Sequence, residues 1–209
     1  MSTLFLQSLT AFFCTLIAIV ALAPLASTVG LVDVPSERKQ HRDEVPLVGG
    51  LAIFIAFFAG AALWGDDGTY AFTIIDQNML GILLGCSAFL VFMGILDDRF
   101  GLGVFIRIAS EILVALTIIE LLDLRLIWLG DLIGTGNISM SPTVSYIFTA
   151  VAIFGLINAL NMLDGIDGLL AALIITTIAT FHLFTATKPA LITQYILASL
   201  SAFLISNLK

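Results

Sequence analysis

The sequence predicts an all-α polytopic membrane protein: a single transmembrane domain over residues 1–209, with about seven spanning helices and a short outer-face β-hairpin. Three observations predict it. Hydrophobic residues make up 60% of the chain and charged residues only 11%, giving a mean hydropathy of +1.13. The apolar runs approach or exceed the ~20 residues needed to cross a hydrocarbon core. Lys and Arg concentrate in alternate linkers, the pattern of a chain that threads a membrane repeatedly. This composition argues against a soluble globular domain. Much of the acid behind the formal net charge of −7 sits in motifs beside the apolar runs. The charge therefore marks no preference for basic partners, and no nucleic-acid partner is expected. Cys14 and Cys86 lie in apolar segments without CxxC spacing, which predicts neither a disulfide framework nor a cysteine metal site.

By length, the spans fall at approximately 5–28, 47–64, 78–96, 104–122, 144–163, 169–186 and 190–206. The first run lacks a basic n-region and is longer than a signal-peptide core, so it reads as the first span. The linkers 29–46, 97–103 and 164–168 then share one side with Asn207-Leu208-Lys209. That side carries Arg38, Lys39, Arg42, Arg99 and Lys209, with Arg107 close by at a helix start, whereas the other carries Arg125 and Lys188. The positive-inside rule makes the richer side cytoplasmic. In 123–143, Asp123, Arg125 and Ile127 alternate with Leu124, Leu126 and Trp128, and Gly130, Gly134 and Gly136 follow. This reads as a short strand or hairpin at the outer surface, because an open strand edge is not tolerated in hydrocarbon.

Three polar motifs lie on the cytoplasmic side. In GLVDVPSERKQHRDEVPLVGG, Arg38, Lys39, His41 and Arg42 form a basic patch. It reads either as a positive-inside anchor drawn to anionic headgroups or as a phosphate-binding loop. In GILDDRFGL, Asp97 and Asp98 adjoin the end of an apolar run. Adjacent carboxylates repel, and an acid at a helix C-terminus opposes the macrodipole, so a cation or Arg99 is needed nearby. Mg²⁺ shared with phosphate oxygens and water is preferred over a merely solvated loop start. In NALNMLDGIDGLL, Asn158, Asn161, Asp164 and Asp167 recur every third residue, close to one helix face. Asn158 and Asn161 fall inside a span, where Asn serves as interhelical glue or faces a ligand. Asp164 and Asp167 are harder to explain as packing residues. Glu111 is expected to pair with Arg107 one turn away. His182, alone on an apolar helix, is expected to hydrogen-bond a neighbouring helix rather than bind metal.

These motifs, in this order and on this side, resemble those of the polyprenyl-phosphate N-acetylhexosamine-1-phosphate transferase family. The resemblance covers essentially the whole chain. It is nearest to the bacterial undecaprenyl-phosphate N-acetylglucosaminyl-1-phosphate transferases that start O-antigen, enterobacterial common antigen and teichoic-acid assembly. Family members have about ten or eleven spans and further cytoplasmic motifs: a Gly-Asp segment after the helix that here ends at Asn207, and a His-rich loop. The chain stops at Lys209 with neither, so it resembles the first half to two-thirds of such an enzyme. On its own it is expected to insert but to be inactive.

The resemblance implies Mg²⁺-dependent (alternatively Mn²⁺-dependent) phosphoryl transfer. Undecaprenyl phosphate attacks the sugar-linked phosphorus of UDP-N-acetylglucosamine, releasing UMP, as the first membrane step of cell-envelope polysaccharide synthesis. It implies Asp97, Asp98, Asp164 and Asp167 as catalytic residues. Arg38, Lys39, His41, Asn158 and Asn161 would bind substrate, and Asp97, Asp98 and Asn207 would bind metal. The implied partners are a polyprenyl phosphate lipid, a UDP-sugar, the membrane and a second copy in a homodimer. The implied location is the bacterial inner (cytoplasmic) membrane, multi-pass, with the active face cytoplasmic. The physics agrees, since a lipid acceptor and a water-soluble donor can meet only at that interface, and two anionic reactants need cations. Two other classes stay open. One is a non-catalytic shortened paralogue or fragment acting only as a membrane partner protein. The other is a cation-coupled transporter, against which stands the position of the Asp residues at helix ends rather than at midplane.

Overall fold

The computed structural model describes residues 2–33, 45–64, 77–132, 134, 136–163, 168–185 and 191–207. In chain order these form α1 (Ser2–Val29), β1 (Val32–Asp33), β2 (Val45–Pro46), α2 (Gly49–Trp64), α3 (Gln77–Phe100), α4 (Val104–Leu122), α5 (Pro142–Leu163), α6 (Leu169–Thr185) and α7 (Leu191–Asn207). Each predicted span is matched by one of these helices. Among the described residues, Phe5–Val29, Asn78–Phe100 and Pro142–Leu163 are long and apolar enough to cross a membrane. Gly49–Gly60 and Leu169–Phe184 are apolar but shorter, and α4 carries Arg107, Glu111 and Glu120 among its 19 residues. The chain is an all-α membrane protein.

Its packing is that of a protein whose solvent is lipid. The largest fully buried side chains are Gln7, Thr15, Ser145 and Ser199, whereas Phe13, Phe58, Leu183 and Phe184 are exposed. Lipid tails are as apolar as leucine, so large apolar residues gain little by turning inward, and helices associate through small residues and hydrogen bonds. Helix α1 packs against α2 and α7, α3 against α4, α4 against α5, and α6 against α7. At Gly49 and Gly60 of α2 a Cβ would overlap the rings of Phe203 and Tyr195 of α7. A Cβ at Gly81, Gly85 or Gly155 would meet nothing within 4 Å, so these small-residue faces are uncovered among the described residues.

The hairpin expected in 123–143 is present as one antiparallel bridge, Trp128 to Ser139. The Leu129 and Met140 amides donate to the carbonyls of Ile138 (3.0 Å) and Ile127 (2.9 Å). It is tied to α5, because Leu126 N–H donates to Thr149 Oγ1 (2.9 Å) and Ser145 Oγ donates to Leu126 O (2.8 Å). A second antiparallel pair has no signal in the sequence. Strands β1 and β2 place Val32 opposite Pro46 and Asp33 opposite Val45, bringing together the two stems of the basic segment. They follow a Schellman ending of α1, in which Leu31 N–H reaches Ala26 O (2.8 Å) across Gly30 at φ +74°, a turn that glycine makes without strain.

Candidate functional site

The described contacts sort the helix termini into two ends of the bundle. At one end Ala26, Leu31 and Val48 form a cluster against which Ile95 of α3 packs. Gly49, at the start of α2, meets Phe203 near the end of α7. Arg107 near the start of α4 meets Asp97 near the end of α3, and Asn158 near the end of α5 meets Glu111 of α4. The opposite end carries the 126–140 hairpin, the contact of Gly60 with Tyr195 and the hydrogen bond of His182 to Thr193 (3.1 Å). That last contact is the interhelical role expected of His182. The termini that carry the Asp pair, the Asn stripe and Asn207 therefore share one end.

At that end α3 runs on through Asp97 and Asp98 to Phe100, four residues beyond its expected limit. Two features extend it. Arg99 lies in the last turn, where a cation suits the helix dipole, with its guanidinium 5.1 Å from the Phe100 ring centroid. Gly101 then takes φ +63° and its N–H donates to Asp97 O (2.7 Å), the bond that closes an αL ending. The next amide, Leu102 N–H, donates to the Asp97 side chain at Oδ1 (2.9 Å). One aspartate thus receives both loop amides, one on its backbone and one on its carboxylate. Its other oxygen lies 3.4 Å from an Arg107 guanidinium nitrogen. Asp98, on the neighbouring helical position, is exposed.

Arg107 was expected to pair with Glu111 along α4. Instead it turns to α3, and Glu111 turns to α5. Glu111 is 5% exposed and its Oε2 accepts a bond from Asn158 Nδ2, which also donates to Phe154 O (3.0 Å). Two acceptors facing one amide nitrogen also fix the orientation of the Asn158 amide, because the flipped form would set oxygen against oxygen. Both Asn158 amide hydrogens are thus engaged within the protein. Asn161, one turn on, is exposed. At the far end of α4, Glu120 faces the Tyr146 hydroxyl of α5. The missed interactions had one usable signal: three charges on an otherwise apolar helix, each of which needs a partner.

Of the other candidate residues, Asn207 is the last residue of α7 and so lies at the Asp97 end. Arg38, Lys39, His41, Asp164 and Asp167 fall outside the described residues. Among the described residues, no three His, Cys, Asp or Glu side chains converge as a metal-binding group. The donor set at this end is nonetheless of one kind. Asp97, Asp98 and Asn207 offer only oxygens to a metal, and an ionised carboxylate has about four lone-pair sites, of which Leu102 and Arg107 engage two on Asp97. Oxygen-only donors suit a hard divalent cation.

The glycosyl transferase family 4 description matches residues 80–209. The chain is 39% identical over 151 residues to an undecaprenyl-phosphate alpha-N-acetylglucosaminyl 1-phosphate transferase of Yersinia pestis, covering 71% of this chain and 38% of that protein. It is 38% identical to the protein of the same name in Escherichia coli (strain K12), with the same coverage. It is 32% identical over 174 residues to a probable undecaprenyl-phosphate N-acetylglucosaminyl 1-phosphate transferase of Bacillus subtilis (strain 168), covering 81% of this chain and 46% of that protein. The matched region thus spans less than half the length of each of these relatives.

Proposed function

Because this chain belongs to glycosyl transferase family 4, we propose that it carries part of the site that transfers N-acetylglucosamine 1-phosphate from UDP-N-acetylglucosamine to undecaprenyl phosphate. On this reading all seven helices cross the bacterial inner membrane, and the Asp97 end faces the cytoplasm. The observation that carries the proposal is the gathering of Asp97, Asp98, Arg107, Asn161 and Asn207 at one end of a bundle whose flanks are large exposed apolar side chains. A lipid acceptor slides along such flanks with its phosphate at the interface, and a water-soluble donor arrives from the same end.

In the proposed step an oxygen of the lipid phosphate attacks the sugar-linked phosphorus of the donor. A new P–O bond forms, the P–O bond to UMP breaks, and UMP leaves with the electron pair. A phosphate monoester has its second pKa near ~6, so at neutral pH the nucleophile needs little help from a base. The chain's task is to position like-charged groups and neutralise them. A divalent cation held by Asp98, with Asp97 and Asn207 contributing, supplies charge neutralisation when bound. Asp97 holds the loop to α4 and orients Arg107, Asp98 presents its exposed carboxylate to the site, and Asn161 offers an exposed amide to the donor. From the resemblance, Arg38, Lys39 and His41 would contribute phosphate-binding side chains, and Asp164 and Asp167 would contribute further carboxylates.

The test is a chimera in which this chain replaces the matching part of the Escherichia coli relative. Membranes are supplied with radiolabelled UDP-N-acetylglucosamine, undecaprenyl phosphate and Mg²⁺. Label entering lipid, with loss of at least ~10²-fold on Asp98→Asn, supports the reading. An inserted chimera that transfers nothing, beside an active parent, refutes it.

A further inference from the structure

Among the described residues, Glu111 is the buried carboxylate, and the proposed chemistry does not use it. It sits on α4 at 5% exposure, about 10 Å along the helix from its start at ~1.5 Å per residue. An acid at that depth is costly unless it has a task. Its contact is with Asn158, whose second amide hydrogen is held by Phe154 O. One turn earlier on the same α4 face, Arg107 holds Asp97 of α3. Helix α4 therefore grips the end of α3 with one side chain and the end of α5 with the other.

We propose that Glu111 and Asn158 form an intramembrane positioning pair that sets the cytoplasmic end of α5 against the Asp97-Asp98 turn. This inference rests on the transferase reading for its functional consequence, though not for the contact itself. Neither residue touches substrate in this assignment. Asn158, read from the sequence either as interhelical glue or as a substrate ligand, acts through Glu111, while Asn161 takes the exposed position. What the pair needs from residue 111 is a hydrogen-bond acceptor rather than a charge or a transferable proton. A glutamine there retains an acceptor oxygen for Asn158 Nδ2, and an alanine does not. Losing the acceptor leaves an amide hydrogen unsatisfied in a part-buried site, and the α5 end separates from α4.

Two readouts test it. In the 209-residue chain in lipid nanodiscs, amide exchange is followed over residues 154–163. Glu111→Ala and Asn158→Ala are expected to speed it at least ~5-fold, and Glu111→Gln to stay within ~2-fold of the parent. In the chimera, Glu111→Ala is expected to lower kcat at least ~10-fold with KM for the donor within ~3-fold, and Glu111→Gln to restore it. The double alanine variant should be no worse than ~2-fold below either single variant, whereas two independent roles would multiply. Equal damage from Gln and Ala would overturn the proposal in favour of a role for the charge itself. Unchanged exchange in both alanine variants would overturn it as well. A chimera without activity in the parent form defeats the transferase reading alone, because exchange still decides the pair. Should Glu111→Ala fail to insert, Asn158→Ala and Glu111→Gln carry the same comparison.

Discussion

Asp97 is asked to do two things, and the substitutions Asp97→Asn and Asp97→Ala separate them. Its Oδ1 accepts the Leu102 amide at 2.9 Å, and its Oδ2 faces Arg107 at 3.4 Å with the two side chains 26% and 43% exposed. Asparagine keeps an oxygen for the amide and removes the charge. A half-exposed ion pair contributes roughly 0.2–1 kcal/mol, so Asn should cost at most about 1 kcal/mol. Alanine also loses the amide's acceptor, adding about 1–1.5 kcal/mol. In a domain of 150–250 residues ~1 kcal/mol moves Tm by about 2–4 °C. The Asn variant should therefore unfold within ~4 °C of the parent, and the Ala variant about 2–6 °C below the Asn variant. Both should lose transfer by ~10²-fold or more if the negative charge serves the reaction. Thermal unfolding of the purified chain in detergent gives the first quantity, and radiolabel transfer by the chimera gives the second. Equal Tm for Asn and Ala would show that the carboxylate does not hold the loop. Undiminished transfer by Asp97→Asn would show that its charge is not needed.

Further outcomes follow from the packing and the topology. Cysteines placed at Gly103 and Ser141, in separate variants of a cysteine-free chain, should react with an impermeant thiol reagent from opposite faces of sealed vesicles; labelling from one face would break the two-ended arrangement. Gly60→Ala should destabilise the chain by about 1–3 kcal/mol, because the new Cβ meets the Tyr195 ring. Gly81→Ala, with nothing within 4 Å, should change stability little, since alanine is the better helix former. Indistinguishable unfolding of the two alanine variants would mean that α2 and α7 do not approach as closely as described.

The order of the helices and their lengths were legible because a hydrocarbon core imposes one length and one composition on any segment that crosses it. The end of α3 was not. Apolarity stops at Leu96, but the helix stops where Gly101 can turn, and between them lie two acids that composition reads as loop. Strands β1 and β2 were not legible either, since two residues each carry no periodicity; they follow the Schellman turn at Gly30, and Val32 packs on the Ala26, Leu31 and Val48 cluster. The architecture of the Asp97-Asp98 motif was not legible. Nothing in two adjacent aspartates tells that one caps its own helix. Asn158 shows the reverse, for the interhelical-glue alternative describes the contact it makes.

Helix α4 explains why sequence rules and structure diverge at this site. Its length suits a membrane span, yet its three charged residues set it apart from the helices apolar enough to cross by composition. Each of those charges meets a flanking helix: Arg107 meets Asp97 of α3, Glu111 meets Asn158 of α5, and Glu120 meets Tyr146 of α5. A charge in lipid is tolerated when it is paired, and pairing across helices fixes their relative register in a way that apolar contacts, being non-directional, do not. The polarity that weakens α4 as a hydropathy signal is the same polarity that makes it the strut between α3 and α5. The proposed transfer, which would hold two phosphates within bonding distance, would draw on that rigidity.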